Sequence, residues 1–546
     1  MEKKIQSLEA IVERLSKDSP TTESLSSTTN INMAADDQSI AGEQISVVEN
    51  PQNMPMTHVG VVMDLDSSPG NIPGFHIASA QTRQPRGQGE DFISRGVIAL
   101  EKAQDYFDEY KDRLDHFPYR VLGDRGSLTL KSMRRASPLL TAAVCSVGAL
   151  HSPSEDFEAC YSEFITLSAG KIFSRPNTID DVRALCIGSF WLSDASWTLV
   201  ASAVQMATQL QLHKSFFKAL SGDREHYLRT RLYLLIYVCD HHLSVPYGRP
   251  PMTRECEAIK NARKFLTCEH ATEDDARLVS QVLRWSICSN IFDTLGFDDD
   301  GPVSDGEMAQ IRRFGISLDN LRAEWAEHFR PSAHVGNYPR KGVGLQYHFA
   351  KLYLYSHALR GAGNAPRSRT SRLEMDEIAQ SALSAALSIV RIVITDAEIQ
   401  SHLNGLPTYF DTMIAFAALF LLKFSTQFPN SARFEAQELR RALDELVTTL
   451  RRVTLAMHPR HLLVSIVNGI DGLLQQSDLA PGTSATTLDT AITSMPAAQD
   501  HTALQGDYLD WNAITSCDAT FDPCLFDEDA ILPSQDMSFN LDFMHQ

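Results

Sequence analysis

The 546-residue sequence has no C-x-x-C pair among its nine cysteines, no G-x-S-x-G and no G-x-x-x-x-G-K. These absences remove a local zinc ribbon or redox dithiol, a hydrolase nucleophile elbow and a phosphate-cradling loop. The cysteines (145, 160, 186, 239, 256, 268, 288, 517 and 524) sit mostly among apolar residues of helical period. There a thiol behaves as a small hydrophobe, and the pattern suits a reducing compartment. No N-terminal signal peptide is visible. The longest apolar stretch, Tyr409 to Phe424, is interrupted by Asp411 and Lys423. It reads as a core helix too short to span a bilayer, and no membrane partner is expected.

Positive charge is the other missing quantity. From Gln475 to Gln546 there is no Lys or Arg, against twelve Asp or Glu. The whole chain carries 68 acids and 49 bases, so residues 1–474 hold 56 acids and 49 bases, a net −7 out of −19. An acidic body is repelled by phosphate backbones, so nothing in it argues for DNA contact by itself.

What is present is helical. Leu232 to Cys239 is an unbroken apolar run, and Leu228, Leu232, Leu235, Cys239 and Leu243 keep helical spacing. The pattern predicts a helix wrapped by other helices, ended by Gly248 and Pro250-Pro251. Upstream, Trp197 to Leu212 predicts a second helix, whose small residues (Ala201, Ser202, Ala203, Ala207) admit a close neighbour. Further helices are expected over Asp91–Leu122 (broken before Pro118), Pro138–Ala149, Asp180–Leu192, Arg277–Leu295, Ser304–His328, Leu345–Leu359, Arg372–Val393, Pro407–Phe424, Ser431–Thr454 and Leu462–Leu474. With no convincing strand or fixed repeat, the fold class is all-α, a large multi-helix domain over residues 91–474.

The central pair also carries an ordered set of motifs. L-x-L-H (Leu210, Leu212, His213) precedes R-x-R-L-aromatic (Arg229, Arg231, Leu232, Tyr233), then D-x-x-x-S (Asp240, Ser244) and Y-G-R-P-P (Tyr247, Gly248, Arg249, Pro250, Pro251). Together these resemble the middle homology region of fungal transcription factors of the zinc binuclear cluster class, nearest the leucine-biosynthesis and protease regulator branch. The resemblance implies a nuclear transcription regulator, an activator of a metabolic or secondary-metabolite gene set and not an enzyme. Its helical domain would hold the activator in check or sense a metabolite. The motif residues carry over as scaffold, not catalysis. Asp240 closes an apolar helix and needs a partner if buried; Arg249, across the turn, is the expected one.

The resemblance further implies an N-terminal basic segment with six cysteines around two zinc ions. Here no cysteine precedes Cys145, and only Lys3 and Lys4 stand as basic remnants. No cofactor is therefore expected in this chain, with zinc only in a module upstream of Met1. Promoter DNA would be reached through that module, or only indirectly through a partner. Met1, Ile5, Leu8, Val12 and Leu15 form an a/d seam, read either as the stub of a dimerisation coil over residues 1–15 or as an ordinary frayed helix. Residues 16–90, rich in Ser, Thr, Asn, Gln, Pro and Gly, read as a disordered linker, with a small apolar island at Val59 to Leu65.

The tail, residues 475–546, interleaves acids with Tyr508, Leu509, Trp511, Phe521, Leu525, Phe526, Ile531, Leu532, Phe539, Leu541 and Phe543. Carboxylate repulsion keeps such a chain open and its aromatics available to coactivator grooves, the signature of an acidic activation domain. A solvated tail with incidental aromatics is the plainer alternative.

Other clusters are weaker. An EF-hand aligned on Gly301 uses Asp298, Asp300 and Glu307 but places Gly296 at the first ligand, which fails. A D-D-x-x-D magnesium motif, the mark of an all-α isoprenoid synthase, meets Pro302 or Val303 at its last position. His241-His242 and the His458/His461 pair read as capping or surface histidines before metal ligands. Ser215 to Lys218 matches S-x-x-K, a pattern too short to carry catalysis, and Arg367, Arg369 and Arg372 read as a solvated basic knot.

Overall fold

The computed structural model describes residues 91–123, 128–173, 176–296, 303–359, 369–427 and 436–479. The coil seam, the linker, the Asp298–Gly301 cluster and the tail beyond Leu479 lie outside these residues, while residues 475–479, expected in the tail, continue the helix Leu462–Leu479. Among the described residues there is no strand, only an isolated bridge between Ser332 and Gly336.

Arg224–Ser244 is the central helix. Asp223 opens it by accepting a hydrogen bond from the His226 amide at 3.0 Å. From Thr230 to Ser244 every residue is buried, so roughly four turns are enclosed on all faces. Leu234, Leu235, Ile236 and Val238 are fully shielded. Each such aliphatic side chain contributes ~1.5–3 kcal/mol relative to exposure. Around it pack Ile179–Trp191, Ser196–Gln209 and Glu273–Leu295.

On one side, Leu100–Glu109 lies against Pro138–Leu150, itself packed on Phe157–Ile172 and Ile179–Trp191. The approach is close at Gly148. A Cβ there would fall 2.3 Å from the Tyr106 carbonyl oxygen, so only glycine fits. On the other, Asp305–Trp325, Tyr338–Ala358, Arg369–Thr395, Thr408–Gln427, Ala436–Thr454 and Leu462–Leu479 continue the stack.

Several expectations need correction. Residues 91–99 are turn, not helix. Arg134 grips Asp91 (2.5 and 2.7 Å) while Asp91 also accepts from the Ser94 amide, so the segment is folded back before helix begins at Leu100. The helix expected from Leu345 starts at Tyr338, where Pro339 occupies the first turn and tolerates its missing N–H. Phe157–Ile172, and Leu130–Ala136 with its Thr129/Ser132 capping box, were not expected at all. Among the described residues, the helices Glu374–Thr395 and Thr408–Ser425 are long and apolar enough to cross a membrane, so length does not dispose of that reading for Tyr409–Phe424. Packing bears on it instead: 72% of the second window is buried inside the helical body, with Asp411 at its core.

Candidate functional site

The motif residues of the central helix converge on its neighbours as fasteners. Arg229 reaches back to the Leu210 carbonyl at the end of Ser196–Gln209 and donates to Ser215 Oγ at 3.3 Å. It thereby satisfies a helix-end acceptor, and Ser215 of the S-x-x-K match has a structural partner. Arg231 donates from Nε to Asp275 Oδ1 at 2.6 Å. The other Asp275 oxygen accepts from Tyr227 Oη (2.6 Å), the Thr272 amide (2.7 Å) and Thr272 Oγ1 (2.8 Å). Asp275 is fully buried, and Arg231 is only 8% exposed. Both ions are compensated, which is what makes such burial tolerable.

The remaining Arg231 donors hold the carbonyls of Tyr119 and Arg120. Those two consecutive residues have φ of +59° and +57°, a left-handed conformation that costs non-glycine residues of order 1–3 kcal/mol each. Arg277 assists, donating to the His116 carbonyl at 3.0 Å and lying 5.3 Å from the centre of the Tyr119 ring. The second arginine of R-x-R therefore pins a distant, strained loop.

Tyr233 Oη donates to the Arg254 carbonyl at 3.2 Å, and its ring sits 6.1 Å from that of His213, so the L-x-L-H end and the aromatic of the next motif are neighbours. Asp240 and Ser244 are one turn apart and bonded, Oγ to Oδ1, at 3.1 Å. The other Asp240 oxygen accepts from the Thr253 amide and hydroxyl, both at 2.7 Å. The carboxylate's partners are thus Thr253 and Ser244 rather than the expected Arg249. The turn that carries the chain to Thr253 brings two donors directly onto the acid. Burial pushes the Asp240 carboxyl above its ordinary range, and these hydrogen bonds oppose the shift.

Arg249 instead stacks over Trp197 at 4.7 Å, closing the turn onto the preceding helix. Gly248 supplies the φ of +65° that ends the helix, and Pro250 follows, exposed.

The other candidates resolve likewise. Glu307 accepts from Ser304 in the capping box of Asp305–Trp325, a helix-start duty rather than a calcium one. His241 and His242 are not surface residues: they are 1% and 4% exposed. His241 Nδ1 bonds the Tyr237 carbonyl at 2.8 Å, and His242 lies parallel to Tyr409 with ring centres 3.9 Å apart. Burial holds both neutral, His241 down to about 3. His461 is buried too, pushed down to about 4, and its Nδ1 accepts from the Leu463 amide at a helix start. Among the described residues, no three His, Cys, Asp or Glu side chains converge as metal ligands would. The side chains of Arg367, Arg369 and Arg372 lie outside the description.

Among the described residues, the motif side chains form a scaffold of fastened helices. Residues 113–472 match the family described as the middle domain of prtT, the transcriptional activator of proteases. The chain belongs to that family. It is also 38% identical over 401 residues to the transcriptional activator of proteases prtT of Emericella nidulans. The match takes in 71% of this chain and 60% of that relative's length. The family match begins inside the first described helical segment and ends within Leu462–Leu479, so it coincides with the helical body.

Proposed function

We propose that this chain is a nuclear transcription activator, not an enzyme, in which the helical body restrains an acidic activating tail. The observation that carries the reading is the family match across residues 113–472, a region named for an activator's middle domain. The base-free, aromatic-studded tail supports it, because such chains engage coactivators through short induced helices. The relative's name favours a protease gene set over biosynthetic clusters. Promoter DNA is contacted through a zinc module beyond this sequence or through a partner paired by Ile5, Leu8, Val12 and Leu15.

The test fuses residues 501–546, and separately 91–546, to an unrelated DNA-binding module upstream of a reporter. The tail alone should activate strongly and the longer fusion several-fold less. Silence from the tail removes the activation claim, and equal activity from both removes the restraint.

A further inference from the structure

We propose that the turn between Ala436–Thr454 and Leu462–Leu479 is the surface on which the body holds the tail, by docking the acid–aromatic cluster Asp507–Trp511. The inference rests on the restraint proposed above and gives it a place. In that turn Leu455 is 86% exposed, the most exposed large aliphatic side chain among the described residues. Ala456 and Pro459 are exposed with it. A lone exposed leucine is ordinary, so its setting has to carry the case. Arg451, Arg452 and Arg460 flank the turn, and from Leu446 to Ile470 the chain has no Asp or Glu. Acids reach two of the three arginines from elsewhere: Asp471 pairs with Arg451, and Glu158 (3.0 Å) and Asp194 (3.7 Å) with Arg460. Those pairs lie at the surface, where water screens them and exchange is easy. Arg452 has no carboxylate among the described residues; its Nη2 donates to the neutral Gln400 Oε1 at 2.6 Å.

The tail is the complement of this surface. It carries no base, and Asp507 and Asp510 bracket Tyr508 and Leu509, with Trp511 next. A carboxylate suits the guanidinium of Arg452, and the two rings have Leu455 and Pro459 to cover. Length singles out this cluster. The helix Leu462–Leu479 has 18 residues and carries the chain ~27 Å away from the turn. Asp507 follows Leu479 by 28 residues, and a free chain of that length spans ~30 Å r.m.s.. The cluster is therefore tethered at about the distance of the turn, where its effective concentration is highest. The same cluster on a second copy competes only at its bulk concentration.

Full-length protein with p-benzoylphenylalanine in place of Leu455 is irradiated, and the adducts are mapped by mass spectrometry. An adduct from position 455 to residues 507–511 of the same chain is expected. Arg452→Gln, or Asp507→Asn with Asp510→Asn, should lower its yield several-fold. The dock is overturned if no adduct reaches the tail, if adducts join only two copies, or if Arg452→Gln leaves the yield unchanged. The full chain fused to the DNA-binding module gives a second readout where the tail alone activates. There Leu455→Ser with Arg452→Gln should raise reporter output several-fold, and unchanged output overturns the dock. A silent tail-only fusion removes the activation claim alone, because the adduct is read without transcription.

Discussion

Arg231 and Arg284 are both arginines on long helices, and both are almost wholly shielded. Arg231 meets a buried carboxylate and two strained carbonyls, and each of its three nitrogens donates to one of them. Arg284 meets aromatic faces and one neutral amide, and two of its donors are unused. A shielded cation matched by a carboxylate is a fastener, whereas Arg284 is held by ring faces and one amide. Two aspartates repeat the contrast. Asp240 and Asp411 are each 0% exposed, but Asp240 accepts three hydrogen bonds and neither oxygen of Asp411 accepts any. Burial pushes both carboxyls up, and Asp411 well up.

The contrast breaks first at Arg231. Arg231→Met leaves Asp275 buried and uncompensated and frees the Tyr119–Arg120 loop. It should cost ~3–5 kcal/mol in urea unfolding, and a loss under 1 kcal/mol would mean the pair is not a fastener. Next is Thr253→Val, which keeps shape and amide but removes the hydroxyl from Asp240. A hydrogen bond to a charged group is worth ~1.5–3 kcal/mol. A double-mutant cycle with Asp240→Asn separates the two assignments: Thr253→Val should couple to Asp240, and Arg249→Ala, which removes a cation–π contact worth ~0.5–2 kcal/mol, should not.

The smallest effect is one of pH. Asp411 keeps its proton in the folded protein over a range where the unfolded carboxyl, with a pKa of 3.8, has lost it. Stability from this group therefore falls as pH rises above about 4. Asp411→Asn lacks the slope, so its advantage over the parent should be near zero at pH 4 and grow toward pH 7. The buried neutral histidines slope the other way below pH 6.5; those away from Asp411 cancel in the difference, and repeating the comparison with His461→Gln in both proteins removes His461, whose Nδ1 lies 4.0 Å from Asp411 Oδ2. A gap that stays constant with pH would clear the carboxyl.

Helical period made most of the body readable. Arg224–Ser244, Pro138–Leu150 and Ile179–Trp191 fall within a few residues of their expected bounds, because an apolar run or stripe with a cap or proline at its end is a local signal. Phe157–Ile172 escaped because its buried stripe is thin: only Phe157, Cys160, Phe164 and Ser168 are sealed. Residues 91–99 misled in the opposite direction. Phe92 and Ile93 are buried, as a helix would bury them, but a clamp from Arg134, forty-three residues away, holds the segment as a turn. The motif residues stood out in order along the chain, yet their partners did not. Nothing local ties Arg231 to Asp275 or turns Asp240 toward Thr253 in preference to Arg249. Arg284 carried no sequence signal at all, being one more base in an amphipathic helix.

The sequence alone determined an all-α body, membership of a recognisable family, and the separation of a mixed-charge body from a base-free acidic end. Those depend on periodicity and charge, which each segment carries by itself. Only the tertiary structure decided which buried charges are matched and which is left over, because compensation is a property of residues brought together from far apart. That is why Arg231 and Arg284, equivalent on paper, part company only once the helices are packed.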